Sequence, residues 1–445
     1  MTNKILYLLL IMGILLSPSV MADDLLTIYQ LAQQNDPTLQ VQRQSALATE
    51  ELTNQVRANF LPKINATQTI LEKKYTGDIV PTLLEQDLAV TIPPASVHVL
   101  SRTFNLKLTQ PVFYYEEWVK FGQATYQVQS ARATYAAAEQ DLIVRTFDRF
   151  FGVLKARDKY HFAVAQRKAF EKFWEETQQR YKAGLIAVTD VQIAKARRDS
   201  AVAQEIAAET EVENQKEQLA EITGRCTEVF ATLKQDIKLV KPEPAKIEYW
   251  VDTSLDKNLS LEASRYLMSA ARTGIRVEQG GHMPNLNIIG GVEHDAADLL
   301  TSKATISSIG LQIDFPLFSG GSITSKTRQA MHLYEKSSKE YEVLYRQTES
   351  TTRQSYRNVI TQISQVTALK QAVVSNTQAL QATQASFGVG TRTIVDVLDS
   401  QSALIKAQEE YAIARYDYIL QSIKLKQSAG ILSPEDVCHI NAWLN

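Results

Sequence analysis

An α+β fold, built twice over in one chain, follows from three features of the 445-residue sequence. These are an internal repeat, two very long stretches almost free of helix breakers, and four short segments of period-two alternation. The repeat comes first, because self-similarity governs every later assignment. Ala183-Gly184-Leu185-Ile186-Ala187-Val188-Thr189-Asp190-Val191 aligns with Val389-Gly390-Thr391-Arg392-Thr393-Ile394-Val395-Asp396-Val397 at a spacing of 206 residues. The same spacing carries Thr223-Gly224 onto Ala429-Gly430, and a spacing of 205 carries Pro111-Val112-Phe113 onto Pro316-Leu317-Phe318. Leu61-Pro62-Lys63-Ile64-Asn65 matches Met283-Pro284-Asn285-Leu286-Asn287 at 222, so the first half carries 17 extra residues within 71–102. The chain divides accordingly into residues 1–22, a first repeat at 23–224, a connector at 225–257, a second repeat at 258–430 and a terminal segment at 431–445.

Residues 1–22 read as a secretory signal peptide: Lys4 as the charged start, an apolar run from Ile5 to Leu16, and Val20-Met21-Ala22 as a small-residue cleavage site. The mature chain is expected to begin at Asp23, which is not a Cys and so offers no lipid attachment. Beyond it no uninterrupted apolar stretch reaches the ~20 residues of a spanning helix. Asp36-Pro37 supplies an N-cap and first-turn proline for a helix at 37–59, and its counterpart is expected at 260–281. Strands are expected at 60–70, 103–113, 284–293 and 304–317. Gly280-Gly281 marks a helix end and Gly290-Gly291 a strand kink.

Residues 115–182 and 320–387 contain no Pro and almost no Gly over 68 positions each. At ~1.5 Å per residue each helix could reach roughly 100 Å, which calls for coiled-coil-like packing. Val128, Ala131, Tyr135, Ala138 and Leu142 recur at alternating three and four spacing, and Val397, Leu404, Tyr411 and Tyr418 every seven. Tight glycine turns lead into return helices at 189–223 and 395–429. The leftover segments 23–36, 224–257 and 431–445 would fill the join between end-to-end short helices.

Composition excludes several functions. A formal net charge of −2 gives no basic footprint for nucleic acid. Two cysteines cannot build a disulfide scaffold or a four-thiolate zinc site. The six histidines show no metal-ligand spacing, Gly388-Val389-Gly390-Thr391 lacks the Lys of a phosphate loop, and no Ser, His and acid set can be argued. No enzyme and no cofactor are expected. Cys226 and Cys438 both fall in leftover segments of an exported chain, where a disulfide between them is a candidate.

The strands fit two arrangements. In Ser308-Ile309-Gly310-Leu311-Gln312-Ile313-Asp314-Phe315 the apolar and polar residues alternate, as do Phe104, Leu106 and Leu108 with Asn105, Lys107 and Thr109. One face could lie on a core with the other in water. Alternatively the apolar face meets lipid and the polar face lines a lumen. Four strands cannot close such a barrel, and three copies would supply twelve. The competing functional reading is a periplasmic or surface coiled-coil protein of structural role, with a soluble sheet.

The repeat, the proline-marked strand pairs and above all Phe387-Gly388-Val389-Gly390-Thr391-Arg392-Thr393-Ile394-Val395-Asp396-Val397-Leu398-Asp399 resemble the TolC family of outer-membrane efflux and secretion channels. The resemblance spans nearly the whole mature chain. It implies an α+β membrane protein: a trimeric twelve-stranded outer-membrane β-barrel, four strands per chain. A long periplasmic α-helical barrel with a mixed equatorial region would continue it. It further implies a passive exit duct recruited by periplasmic adaptor (membrane fusion) proteins and inner-membrane ABC, RND or MFS transporters.

At the turn end, Asp190 and Arg392 match positions that hold the family's periplasmic gate closed. Thr189, Thr177 and Arg415 match supporting positions, and Asp396 and Asp399 match rings of carboxylates in the lumen. The turns at Gly184, Gly388 and Gly390 would receive the adaptor. One position departs from the pattern: Phe387 stands where the family has a Tyr bonded to the gate aspartate, so a somewhat more easily opened gate is expected. Ordinary capping is the alternative for this cluster, with Thr189 or Asp190 satisfying free amides and Asp396 favouring the helix dipole.

Overall fold

The computed structural model describes residues 23–75, 97–234, 237–297 and 302–445. The expected signal peptide lies outside the described residues, as do residues 76–96 of the span 71–102 in which the longer loop of the first half is expected. Along the chain, α1 (Leu25–Asn35) and α2 (Pro37–Ala58) precede β1 (Lys63–Tyr75) and β2 (Val97–Phe113). The 68-residue α3 (Tyr115–Lys182) and α4 (Val188–Thr223) complete the first half. The order then recurs: α5 (Ile247–Lys257), α6 (Leu259–Gly280), β3 (Asn285–Ala297), β4 (Ser302–Asp314), the 67-residue α7 (Ser322–Gly388) and α8 (Ile394–Ser428). A last helix, α9 (Pro434–Asn441), closes the chain.

The long helices and their return partners fall within two residues of the expected bounds, because Gly and Pro punctuate them. The strands differ more: β1, β2 and β3 run four to six residues past their expected loop-side ends. Those extensions carry Glu72, Lys73 and Lys74, or His98 and Arg102, which blur the period-two pattern while their backbones remain paired. Gly290 and Gly291 do not kink their strand, since the register runs unbroken through them. The shift falls instead between Pro111 and Phe113, where proline lacks the ladder N–H.

Two compact units result. One comprises residues up to Ser45 with Ala133–Glu262 and Val343–Asn445; the other comprises Ala46–Arg132 and Ala263–Glu342. In the first, Phe147, Phe150, Phe151, Leu25, Ile28 and Ile419 are fully buried in one continuous apolar core. The leftover segments surround it. Asp23 bridges to Phe230 and Leu233 to Leu444 as isolated β-bridges, and Asn441 on α9 donates to Asp24 at 2.7 Å. Cys226 and Cys438 are free and exposed, so the candidate disulfide is not formed. Helix α9 turns Val437 and Ile440 into the core, and this points Cys438 outward.

The short helices of each half meet at one-residue joints that are 222 residues apart, the spacing of the strand landmarks. Asp36 caps α2 by accepting the Leu39 N–H at 2.8 Å, and Asn258 caps α6 by accepting the Leu261 N–H at 3.0 Å. Asp36 is only 1% exposed. Burial alone would raise its carboxyl pKa, but Arg145, paired at 2.8 Å, and the Leu39 amide hold it below the ordinary carboxylate range.

The second unit carries a four-stranded antiparallel sheet in the order β1-β2-β3-β4. Register aligns the alternating residues across strands. Ile64, Leu108, Gly290 and Ile309 form one row, and Ala66, Leu106, Val292 and Ser307 the next on the same face. The opposite face carries Asn65, Lys107, Gly291 and Ser308, then Thr67, Asn105, Glu293 and Ile306. Ile309, Leu311 and Ile313 are 84%, 72% and 70% exposed. Among the described residues no core of this chain covers them, which removes the arrangement with one face on an internal core. Trp118, Phe315, Leu317 and Phe318, where strands give way to helices, are exposed too. Exposed aromatics at a strand end are the pattern of a membrane interface.

Candidate functional site

The two tight turns are built alike. Gly184 (φ 72°) ends α3 in the left-handed region that a Cβ disfavours, and Gly390 (φ 80°) does so after α7. The Gly184 N–H donates to Tyr181 O and the Leu185 N–H to Arg180 O; the Gly390 N–H donates to Phe387 O and the Thr391 N–H to Ser386 O. All four bonds therefore repeat at the 206-residue spacing, which makes Tyr181 the counterpart of Phe387.

The helices that leave the turns are capped differently. Thr393 caps α8: its hydroxyl oxygen accepts the Asp396 N–H while the Asp396 carboxylate accepts the Thr393 N–H at 2.9 Å. These bonds from Thr393, backbone first, hold the Asp396 carboxyl below its ordinary range. The capping expectation is thus met at Asp396, through a partner that the T-x-x-D spacing announces. At α4 it is not met. The N-cap is Ala187, which has no side-chain acceptor, and Thr189 and Asp190 already lie inside the first turn. Asp190 there favours the helix dipole.

Between the turns lies a cleft of about 270 Å³. Thr177, Asp190, Phe387 and Arg392 line it, so the structure brings together four of the gate candidates, with Gly390 at the rim. Thr177 is buried, and its hydroxyl donates to the Phe173 carbonyl of its own helix. From just before the N-cap of α8, Arg392 reaches Asp396 at 3.9 Å. Thr189 is exposed beside the cleft.

Arg415 is not part of this cluster. It lies 22 residues beyond Thr393 on α8, roughly 30 Å along a helix of 1.5 Å rise. There its guanidinium donates to Lys234 O at 3.2 Å and stacks over Tyr411. Asp399 is also differently engaged, pairing at 2.9 Å with Arg197 from α4.

Two cations of the site escape sequence reasoning. Arg180, in the last turn of α3, places its guanidinium 4.6 Å from the centroid of the Phe387 ring on α7. Arg197 joins α4 to α8 through Asp399. Both contacts link residues more than 200 positions apart, and only tertiary packing reveals them.

An apolar sheet face that its own chain leaves uncovered, continued by paired long helices, is the build of an outer-membrane channel subunit. The chain belongs to the outer membrane efflux protein family, whose model matches residues 28–225 and 250–431. It is 35% identical over 436 residues to the outer membrane protein TolC of Vibrio cholerae, covering 96% of this chain and 95% of that one. It is 27% identical to the alkaline protease secretion protein AprF of Pseudomonas aeruginosa, over 95% of this chain and 88% of the other. Among solved structures, the outer membrane protein VceC of Vibrio cholerae superposes with a TM-score of 0.76 at 19% identity, covering 91% of this chain and 96% of that one. The chain is accordingly an outer-membrane channel-tunnel of the secretion and efflux type that extends into the periplasm. The alternative of a soluble coiled-coil structural protein is set aside.

Proposed function

We propose that three copies of this chain close one twelve-stranded barrel and serve as a passive exit duct. Inner-membrane ABC, RND or MFS transporters would recruit the duct through periplasmic adaptor proteins. The observation that carries the reading is the sheet: among the described residues, four strands with both edges open and one apolar face uncovered. Open edges are satisfied in a membrane only by closure, and a single chain has too few strands to close. The opposite face, bearing Asn65, Lys107, Ser308 and Gln312, then lines a wet lumen whose generic polar groups select little. Cargo is set by the transporter partner.

In this reading the turn cleft is the gate. Asp190 and Arg392 hold it shut within and between copies, with Thr177 and Thr189 as neighbours, and Asp396 and Asp399 supply carboxylates to the constriction. Gly184, Gly388 and Gly390 present the turns to the adaptor. The distance of Arg415 from the cleft argues for a packing role instead. Arg392→Ser is expected to raise single-channel conductance in planar bilayers, because it removes the cation that lines the same cleft as Asp190 in a gate that has three copies of it. Wild-type conductance and leak in that variant would remove the gate assignment.

A further inference from the structure

We infer that Arg180 is the latch residue that acts through Phe387 to hold the two helical hairpins of one protomer together at the gate. The inference rests on the gate reading above and adds a residue to it. A phenylalanine at position 387 has no hydroxyl to offer Asp190, so a hydrogen-bonded link from this ring is excluded by chemistry. The ring is nevertheless engaged. The Arg180 guanidinium sits 4.6 Å from its centroid, well inside the ~6 Å reach of cation–π attraction. Both side chains are half-buried and line the same cleft.

The anchoring on each side is firm. Phe387 also packs against the apolar cluster of Phe170, Ala201, Ile394 and Leu398. The Arg180 carbonyl accepts the Leu185 N–H of the turn, so backbone geometry fixes where the guanidinium starts. Parting α3 from α7 must break this contact. The phenylalanine therefore replaces a directional hydrogen bond with a stacked cation rather than simply loosening the gate.

The test is bilayer recording of Arg180→Met, Phe387→Leu and the double variant beside Arg392→Ser, with the heat stability of trimers as the control for folding. Each single variant should raise the open fraction roughly two- to five-fold per protomer, the range for a part-exposed cation–π contact. The double variant should add nothing to either single one, and Phe387→Tyr should retain closure because the ring remains. Should Arg180→Met fail to assemble, Arg180→Lys keeps charge and stem but loses the planar stack, and should open partially. Wild-type gating in Arg180→Met beside an opened Arg392→Ser overturns the latch and leaves the gate standing. Additive effects of the two single variants also overturn it. No opening in any variant, Arg392→Ser included, overturns the gate itself.

A separate observation carries a second inference. Arg197 pairs with Asp399 at 2.9 Å, and both are about half exposed. We propose that Arg197 sets the charge of the constriction by compensating Asp399 at 2.9 Å more closely than Arg392, 3.9 Å away, compensates Asp396. An ion pair this exposed contributes little to stability, yet its charge acts fully on ions in a narrow mouth. Arg197→Gln should shift the reversal potential in a KCl gradient toward cations, with conductance little altered. An unchanged reversal potential, or a shift toward anions, refutes the assignment.

Discussion

Ile309→Lys is expected to abolish assembly in the outer membrane, while Ser308→Lys, one residue away, is expected to assemble. Ile309 ends an apolar row on the edge strand β4, the row running through Gly290 and Leu108 to Ile64, and is 84% exposed in the chain. A lysine on the lipid face costs up to about 2–4 kcal/mol, depending on depth, and a trimer carries the cost three times. Ser308 shares its row with Asn65, Lys107 and Gly291 on the polar face, where another cation meets water. Membrane fractionation and heat-modifiable trimer bands read both outcomes. Equal assembly of the two variants would mean that the apolar face does not meet lipid.

Among the described glycines, Gly430→Ala should be the most damaging alanine substitution, and Gly224→Ala its mild counterpart. Both glycines end a return helix at positive φ, 71° and 73°, so each alanine pays about 1–2 kcal/mol of backbone strain. The surroundings then separate them. A Cβ on Gly430 would fall 2.1 Å from the Lys257 carbonyl oxygen and 2.8 Å from the Asn258 nitrogen. Both are backbone atoms, held because Asn258 caps α6 and donates to the Ser428 carbonyl. They cannot yield without moving the α5–α6 joint. A Cβ on Gly224 would meet the Asn35 side chain at an ordinary 3.4 Å. Thermal unfolding followed by helix circular dichroism should show a small loss for Gly224→Ala and a drop several times larger, or no recoverable protein, for Gly430→Ala. Comparable losses would place the cost in φ alone.

Legibility in the sequence followed the physics of each element. The long helices were readable because a run without breakers ends sharply at Gly184 and Gly390, whose conformation only glycine adopts freely. The strands were readable where one face is apolar, and were lost where charged side chains extend beyond it. Helices α1, α5 and α9 fall in the segments 23–36, 224–257 and 431–445, which show no long periodic pattern, although Ser433-Pro434 with Asp436 carries the sequence signs of a capped start. Within the candidate site, Asp190, Phe387 and Arg392 could be placed together because the repeat puts both turns at equivalent ends. Thr393 as a cap was likewise announced by its spacing to Asp396. The partners Arg180 and Arg197 could not be found, since an arginine reaches in any direction and nothing local names the ring or carboxylate it meets. Arg415 is named only by its match to the family, and the structure places it 22 residues along α8 from Thr393, against Lys234 and Tyr411.

The open edges of β1 and β4 have a genetic consequence. Each chain leaves a row of backbone donors and acceptors to be completed by its neighbours on both sides, so a defect in one copy is inherited by the whole ring. If half the chains in a cell were altered and all mixed freely, about one assembly in eight would contain only sound copies. Alterations that spare pairing but damage the gate would then behave as dominant, whereas those that prevent pairing at the edges would drop out silently and leave the sound chains to find one another.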